Sequence, residues 1–162
     1  MRLEYTTVNI LRGAAIYSLG DSAAALLVDE FQWSRLLGLS LIGATIYAFE
    51  IPNYFNWIEE KVQGRKGFRA ALDKTMLAML YFNPLWIARH LFFIYLFSGR
   101  VWEVSWALLG VGLFSFLANI PLSLLGNFFI QNVVRLRWRF FASAVFSALM
   151  AVYYALSEVF FR

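Results

Sequence analysis

The run Asn119 to Arg139, NIPLSLLGNFFIQNVVRLRWR, decides how the rest of the chain is read. Asn119, Ser123, Asn127 and Gln131 recur every four residues in an otherwise apolar stretch. On an α-helix of about 3.6 residues per turn such positions form one slowly drifting stripe. Pro121 lies near its start, and Arg135, Arg137 and Arg139 close it. An apolar helix with one polar stripe, stopped by a basic cluster, reads as a membrane helix with a task on one face.

The whole composition points the same way. The chain has 162 residues, 61% hydrophobic and 15% charged, and its mean hydropathy is +0.64. Soluble domains are about 45–50% apolar and roughly 25% charged, so a soluble fold of this size could not hide the surplus. An all-α, polytopic integral membrane bundle forming one domain over residues 1–162 is expected, with the lipid bilayer as its first partner. The net charge of +4 is read as juxtamembrane Lys and Arg rather than a nucleic-acid surface, because the cations sit at the ends of apolar runs. No Cys is present and His90 is the single His, which rules out a disulfide framework and a multi-His metal site within one chain. No cofactor is expected. Neither a transit peptide nor a cleavable signal is evident at the start.

Five apolar runs follow one another: Val8 to Val28, Leu36 to Ile58, Ala70 to Phe97, Leu113 to Val134 and Phe140 to Phe160. Each suits the ~20 residues needed to cross a bilayer. Pro52 is expected to kink the second run, and Pro84 lies inside the third. Glu59 to Arg69 is the only long polar stretch and is read as a loop. Dividing Val101 to Val134 at Gly110 and Gly112 predicts a short interfacial helix over Val101 to Leu109. Small-residue faces, such as Ala14-Ser18-Ser22, Ser40-Ala44-Ala48 beside Gly43, and Ser147-Ala151-Ala155, allow close helix approach. About five spans are predicted, with four as the alternative. With five, Arg2, Lys61, Arg65, Lys66, Arg69 and the three arginines after Val134 share one side, which the positive-inside rule puts in the cytoplasm or matrix. Arg35, Arg100 and Arg162 fall on the other side.

Ionisable groups inside a bilayer cost several kcal/mol and normally pair or face a cavity. Arg12, Asp21, Glu50, Arg89 and His90 lie inside apolar runs, and Asn53 follows Pro52. Glu50 and Arg89 are either a buried ion pair that sets helix register or the lining of a path. His90 is either a packed hydrogen-bonding residue or a protonation switch. The stripe of Asn119, Ser123, Asn127 and Gln131 either lines an aqueous path or bonds helices together. Arg135, Arg137 and Arg139 are a topology signal or a site for anionic lipid or phosphate. No nucleophile with a base, metal-ligand spacing or Gly-rich phosphate loop is present, so no enzyme is expected.

Taken in order, these residues resemble the Mpv-seventeen/peroxisomal membrane protein (PMP) family. The likeness rests on Leu19-Gly20-Asp21, Arg35 with Gly43, Tyr54-Phe55 followed by Glu59, and Ala71-Leu72-Asp73-Lys74 with Phe82-Asn83-Pro84. It continues through Pro121 with Asn127-Phe128, the arginine cluster, and Tyr154-Ala155-Leu156-Ser157. The chain departs from the pattern at Ala48-Phe49, Ala78-Met79 and Ile120. The resemblance implies a weakly selective channel or a protein that supports metabolite and nucleotide homeostasis. The polar residues inside the runs favour a path for small solutes or ions, and the small-residue faces and high aromatic content give an accessory subunit of a larger membrane complex as the alternative. The resemblance also implies the mitochondrial inner or peroxisomal membrane, or the inner (plasma) membrane of a bacterium. A homo-oligomer or a larger complex would supply the rest of a pore.

Overall fold

A computed structural model describes residues 3–161, with side chains described as far as Val152. Expectations resting on Arg2, Arg162 and the side chains of residues 153–157 lie outside the described residues. Among those residues the chain is helical throughout, with no strand. The helices are α1 (Thr7–Leu27), α2 (Trp33–Ile42), α3 (Ala48–Val62), α4 (Gly67–Tyr81), α5 (Pro84–Phe97), α6 (Ala107–Asn132) and α7 (Leu136–Phe161). A π-helical turn, Gly43–Tyr47, joins α2 to α3 in one 30-residue helix. Three helical stretches are long and apolar enough to cross a membrane: Trp33–Val62, Gly67–Phe97 and Ala107–Asn132.

The chain goes up and down, and cross-helix contacts give each register. Asp21 faces Arg35, Gly13 faces Gly43 and Glu4 faces Asn53, so α1 runs antiparallel to α2–α3. Glu59 meets Lys74, Tyr54 meets Leu77 and Gly38 meets Phe97, so α2–α3 runs antiparallel to α4–α5. α6 returns along α4 and α5, with Phe128 at Phe68 and Gly112 against Pro84 and Ala88. α7 returns along α6 and packs parallel to α1, with Phe140 at Gly13 and Ala148 at Gly20. This closes the bundle around α2–α3. Half of the most apolar window of Trp33–Val62 is buried, against 17% for Gly67–Phe97 and for Ala107–Asn132. The central helix therefore supplies the core, through Leu39, Tyr47, Ile51, Phe55 and Ile58. The outer helices turn apolar side chains such as Leu80, Phe114 and Leu125 outward, as a lipid-facing surface requires.

Several boundaries differ from the sequence expectation, each for a local reason. Pro52 lies inside a continuous helix, and the irregular turn falls one turn earlier, at Gly43–Tyr47. There Thr45 Oγ1 donates to the Leu41 carbonyl at 2.7 Å. The third run is two helices, not one. Asn83, extended at ψ 176°, accepts from the Leu85 and Trp86 amides at 2.8 and 3.0 Å, and Pro84 opens α5. Proline at the first helical position lacks only a hydrogen that has no partner there, while its ring biases the preceding residue away from helix. Asn83→Ala is accordingly expected to lower stability by about 1 kcal/mol, measurable by thermal unfolding in detergent.

The predicted interfacial helix is a single 3₁₀ turn, Val101–Glu103, and α6 starts at Ala107, before Gly110 and Gly112 rather than after them. Ser105 Oγ accepts the Ala107 amide at 3.3 Å just ahead of the helix. Gly112 is held in the helix by the close approach of Pro84. The predicted loop Glu59 to Arg69 shrinks to 63–66, because α3 runs to Val62 and α4 begins at Gly67.

Candidate functional site

The break between α4 and α5 lies beside the middle of the central helix. Glu50 is about 26 Å along that helix from Trp33 and about 18 Å from Val62, at 1.5 Å per residue. Arg89 grips its carboxylate with both terminal nitrogens, Nη1 to Oε1 at 3.0 Å and Nη2 to Oε2 at 2.7 Å. Tyr81, the last residue before the break, donates its hydroxyl to Oε2 at 2.7 Å. The two charged side chains nevertheless keep 35% and 34% of their surface accessible. Sequence reasoning paired Glu50 with Arg89 but missed Tyr81. The antiparallel register of α3 and α4 that brings residue 81 to residue 50 is set by packing, so no local signal marked it.

Behind this cluster stands an aromatic wall. His90 Nδ1 is 2.9 Å from the Tyr47 hydroxyl. Its ring lies 5.5 Å from Trp86 in a stack tilted by only 5°, and the Tyr47 ring is 4.6 Å from Tyr17. His90 is thus packed among aromatic rings with the Tyr47 hydroxyl as its hydrogen-bond partner. Trp86 Nε1 and Arg89 Nε are buried with no hydrogen-bond partner among the described residues.

Asp21 is engaged elsewhere. Arg35 clasps it bidentately, Nε to Oδ2 at 2.6 Å and Nη2 to Oδ1 at 2.5 Å, with both residues buried. Arg35 Nη1 also comes within 4.0 Å of Glu30, which lies 3.8 Å from Arg100, itself paired with Glu103. That hydrogen bond from Arg100 holds the exposed Glu103 carboxyl below its ordinary range. Arg35, counted in the sequence as a flanking cation and as part of the family likeness, is thus a core residue. Asn53 also has a structural task. Its oxygen accepts the Glu4 amide at 2.7 Å, and its Nδ2 donates to the Glu4 and Phe49 carbonyls.

The α6 stripe does not join the Glu50 cluster by any hydrogen bond or ion pair among the described residues. Asn119 and Asn127 donate back to Ser115 and Ser123 carbonyls one turn earlier, at 2.9 Å each. Burial deepens along the stripe, from half-buried Asn119 and Ser123 to buried Asn127 and fully buried Gln131. Of the three arginines, Arg135 and Arg137 are exposed, whereas Arg139 is buried. Arg139 donates to Glu59, to the Val134 carbonyl and to Gln131. Arg12 lies against Trp138, with its guanidinium carbon 4.2 Å from the ring centre.

Two clefts open at the end of the bundle that holds residues 63–66 and 133–135. One, of about 400 Å³, is lined by Arg65, Lys66, Arg69 and Ala70. The other, of about 280 Å³, lies between Glu4, Asn9, Asn56, Arg137 and the apolar floor of Pro52, Leu136 and Phe140. No group of three or more His, Cys, Asp or Glu side chains arranged to hold a metal occurs among the described residues. Compared with protein-family models, curated proteins and solved structures, the chain has no match in any of the three. The functional reading accordingly rests on geometry.

Proposed function

We propose that the chain is a five-span integral membrane protein that gives small solutes or ions a polar path past the α4–α5 break. The observation that carries this reading is the one-third accessibility of Glu50 and Arg89 at mid-helix, where Tyr81 completes their cluster. An exposed ion pair and a non-helical turn are tolerated at membrane depth only against water or protein. Interrupted helices are a recurrent way to build a polar site near the midplane. In this reading α1, α2–α3, α4–α5, α6 and α7 each cross, and the cationic end faces the cytoplasm or matrix. The protein is not an enzyme, acts as a homo-oligomer or within a larger complex, and is a divergent Mpv-seventeen/PMP-like member. It resides in the mitochondrial inner, peroxisomal or bacterial inner membrane.

The second reading is an accessory subunit of a larger membrane complex, in which another chain covers the accessible face of the Glu50–Arg89 pair. Reconstitution separates the two. Vesicles holding the protein should release a trapped small solute faster than protein-free vesicles. Glu50→Gln should change that release about tenfold, as expected when one charge-assisted hydrogen bond is lost from the path. Glu103→Gln, far from the break, should leave it alone. Wild-type vesicles as tight as protein-free ones would sink the path reading, and stable co-purification with an unrelated membrane chain would favour the accessory one.

A further inference from the structure

We propose that the cationic end of the bundle contains a site for a singly charged anionic group, built by Arg139, Lys74 and Gln131 from three helices. Glu59, in the last turn of α3, is the one carboxylate paired with either cation among the described residues. It accepts from Arg139 Nη1 and takes Lys74 Nζ at 2.9 Å on Oε2 and 2.7 Å on Oε1. Asp73, the neighbouring acid on α4, is engaged by Arg65 at 2.6 Å. Two cations therefore share one carboxylate, and the Arg139 side chain is only 8% exposed. The two cations are one counter-charge short, with Arg139 buried and Lys74 partly open to solvent.

The hydrogen-bond inventory gives the sign of the group. Gln131 is fully buried, and its oxygen accepts Arg139 Nη1 at 3.3 Å. The orientation of this amide follows, because turning it over would set two donors face to face. Gln131 Nε2 then has no partner among the described residues. Arg139 Nη2 makes no hydrogen bond to a described residue, and unlike Gln131 Nε2 it is not shut off from solvent. The adjacent Asn132 is satisfied separately, its Nδ2 donating to Thr75 Oγ1 and to the Ala71 and Phe128 carbonyls. Donors in excess and a net positive charge together favour an anion and disfavour a cation. Lys74 and Glu59 remain 21% and 30% exposed, which leaves the cluster open toward the membrane surface. Exposed Arg135 and Arg137 precede Arg139 and would raise the local anion concentration. The chemistry is that of a phosphate oxygen, carried by a phospholipid headgroup or by free phosphate.

The test uses the full chain in an uncharged detergent free of phospholipid, in gluconate buffer at constant ionic strength. Sodium phosphate, or phosphatidylglycerol in mixed micelles, is added and the thermal unfolding midpoint is read. At least one of them should raise the wild-type midpoint by about 5 °C. Gln131→Leu and Lys74→Met should each lose most of that increase. A rise with phosphate alone identifies a free anion as the source, and a rise with phosphatidylglycerol alone identifies the headgroup. The proposal is overturned if neither raises the midpoint, or if the variants keep the whole increase. Should Gln131→Leu fail to fold, Lys74→Met decides, since it leaves the Glu59–Arg139 pair in place.

Discussion

Arg35→Leu should destabilise the protein by about 3–5 kcal/mol, a larger loss than any other single replacement of a charged residue considered above. The guanidinium and the Asp21 carboxylate are bidentate, short and buried together. Removing one partner leaves a carboxylate inside the α1–α2 contact with no water to replace the lost donors. The loss is therefore the penalty of an uncompensated charge, and not the net worth of the pair. The double variant Asp21→Leu/Arg35→Leu should recover most of it, because two apolar side chains there need no partners. Thermal unfolding in detergent reads both, with the single variant shifted down by roughly 10 °C. A double variant no more stable than the single one would contradict this account.

Gly13→Ala and Gly43→Ala form the second test. A Cβ at Gly13 would stand 2.1 Å from the Gly43 carbonyl oxygen, and one at Gly43 would stand 2.3 Å from that of Gly13. Both obstructing atoms are backbone, so no side chain can swing aside. Each substitution should cost about 3 kcal/mol, at the upper end of ordinary overpacking, through separation of α1 from the π turn. Gly110→Ala is the control, since nothing lies within 4 Å of its added methyl. Alanine there should raise stability by about 0.5–1 kcal/mol, as it does in open helix interiors. Similar gains at all three glycines would show that helix propensity, not backbone contact, governs these positions.

The sequence was most legible where one physical rule acts alone. Long apolar runs with charges at their ends can only be packed helices, and they are. The Glu50–Arg89 meeting was foreseeable because charges inside such runs need partners. Legibility failed where two rules compete. Pro52 and Pro84 are the same residue type in similar runs, yet one is absorbed and the other starts a helix. The difference lies in Asn83, whose side chain supplies a cap that Ile51 cannot. Glu59 and Arg69 looked like one polar loop because hydrophilicity does not distinguish a solvated turn from a helix end held by Lys74 and Arg139.

The α6 stripe shows where the boundary falls. Its period of four determined that Asn119, Ser123, Asn127 and Gln131 share a helix face, since that follows from helical geometry alone. The composition by itself determined an all-helical, membrane-type chain, because apolar surface on this scale must be covered. Which neighbours that face meets is a long-range fact. Only the packing of α7 back onto α1 and α6 turned Gln131 toward buried Arg139 and left Asn119 half-open. The α1–α2 hairpin set Arg35 on Asp21, and the register of α2–α3 against α4–α5 set the break at Asn83 beside Glu50. Side-chain chemistry is written residue by residue, but pairing depends on distances between segments far apart in the chain, and those are set when the helices pack.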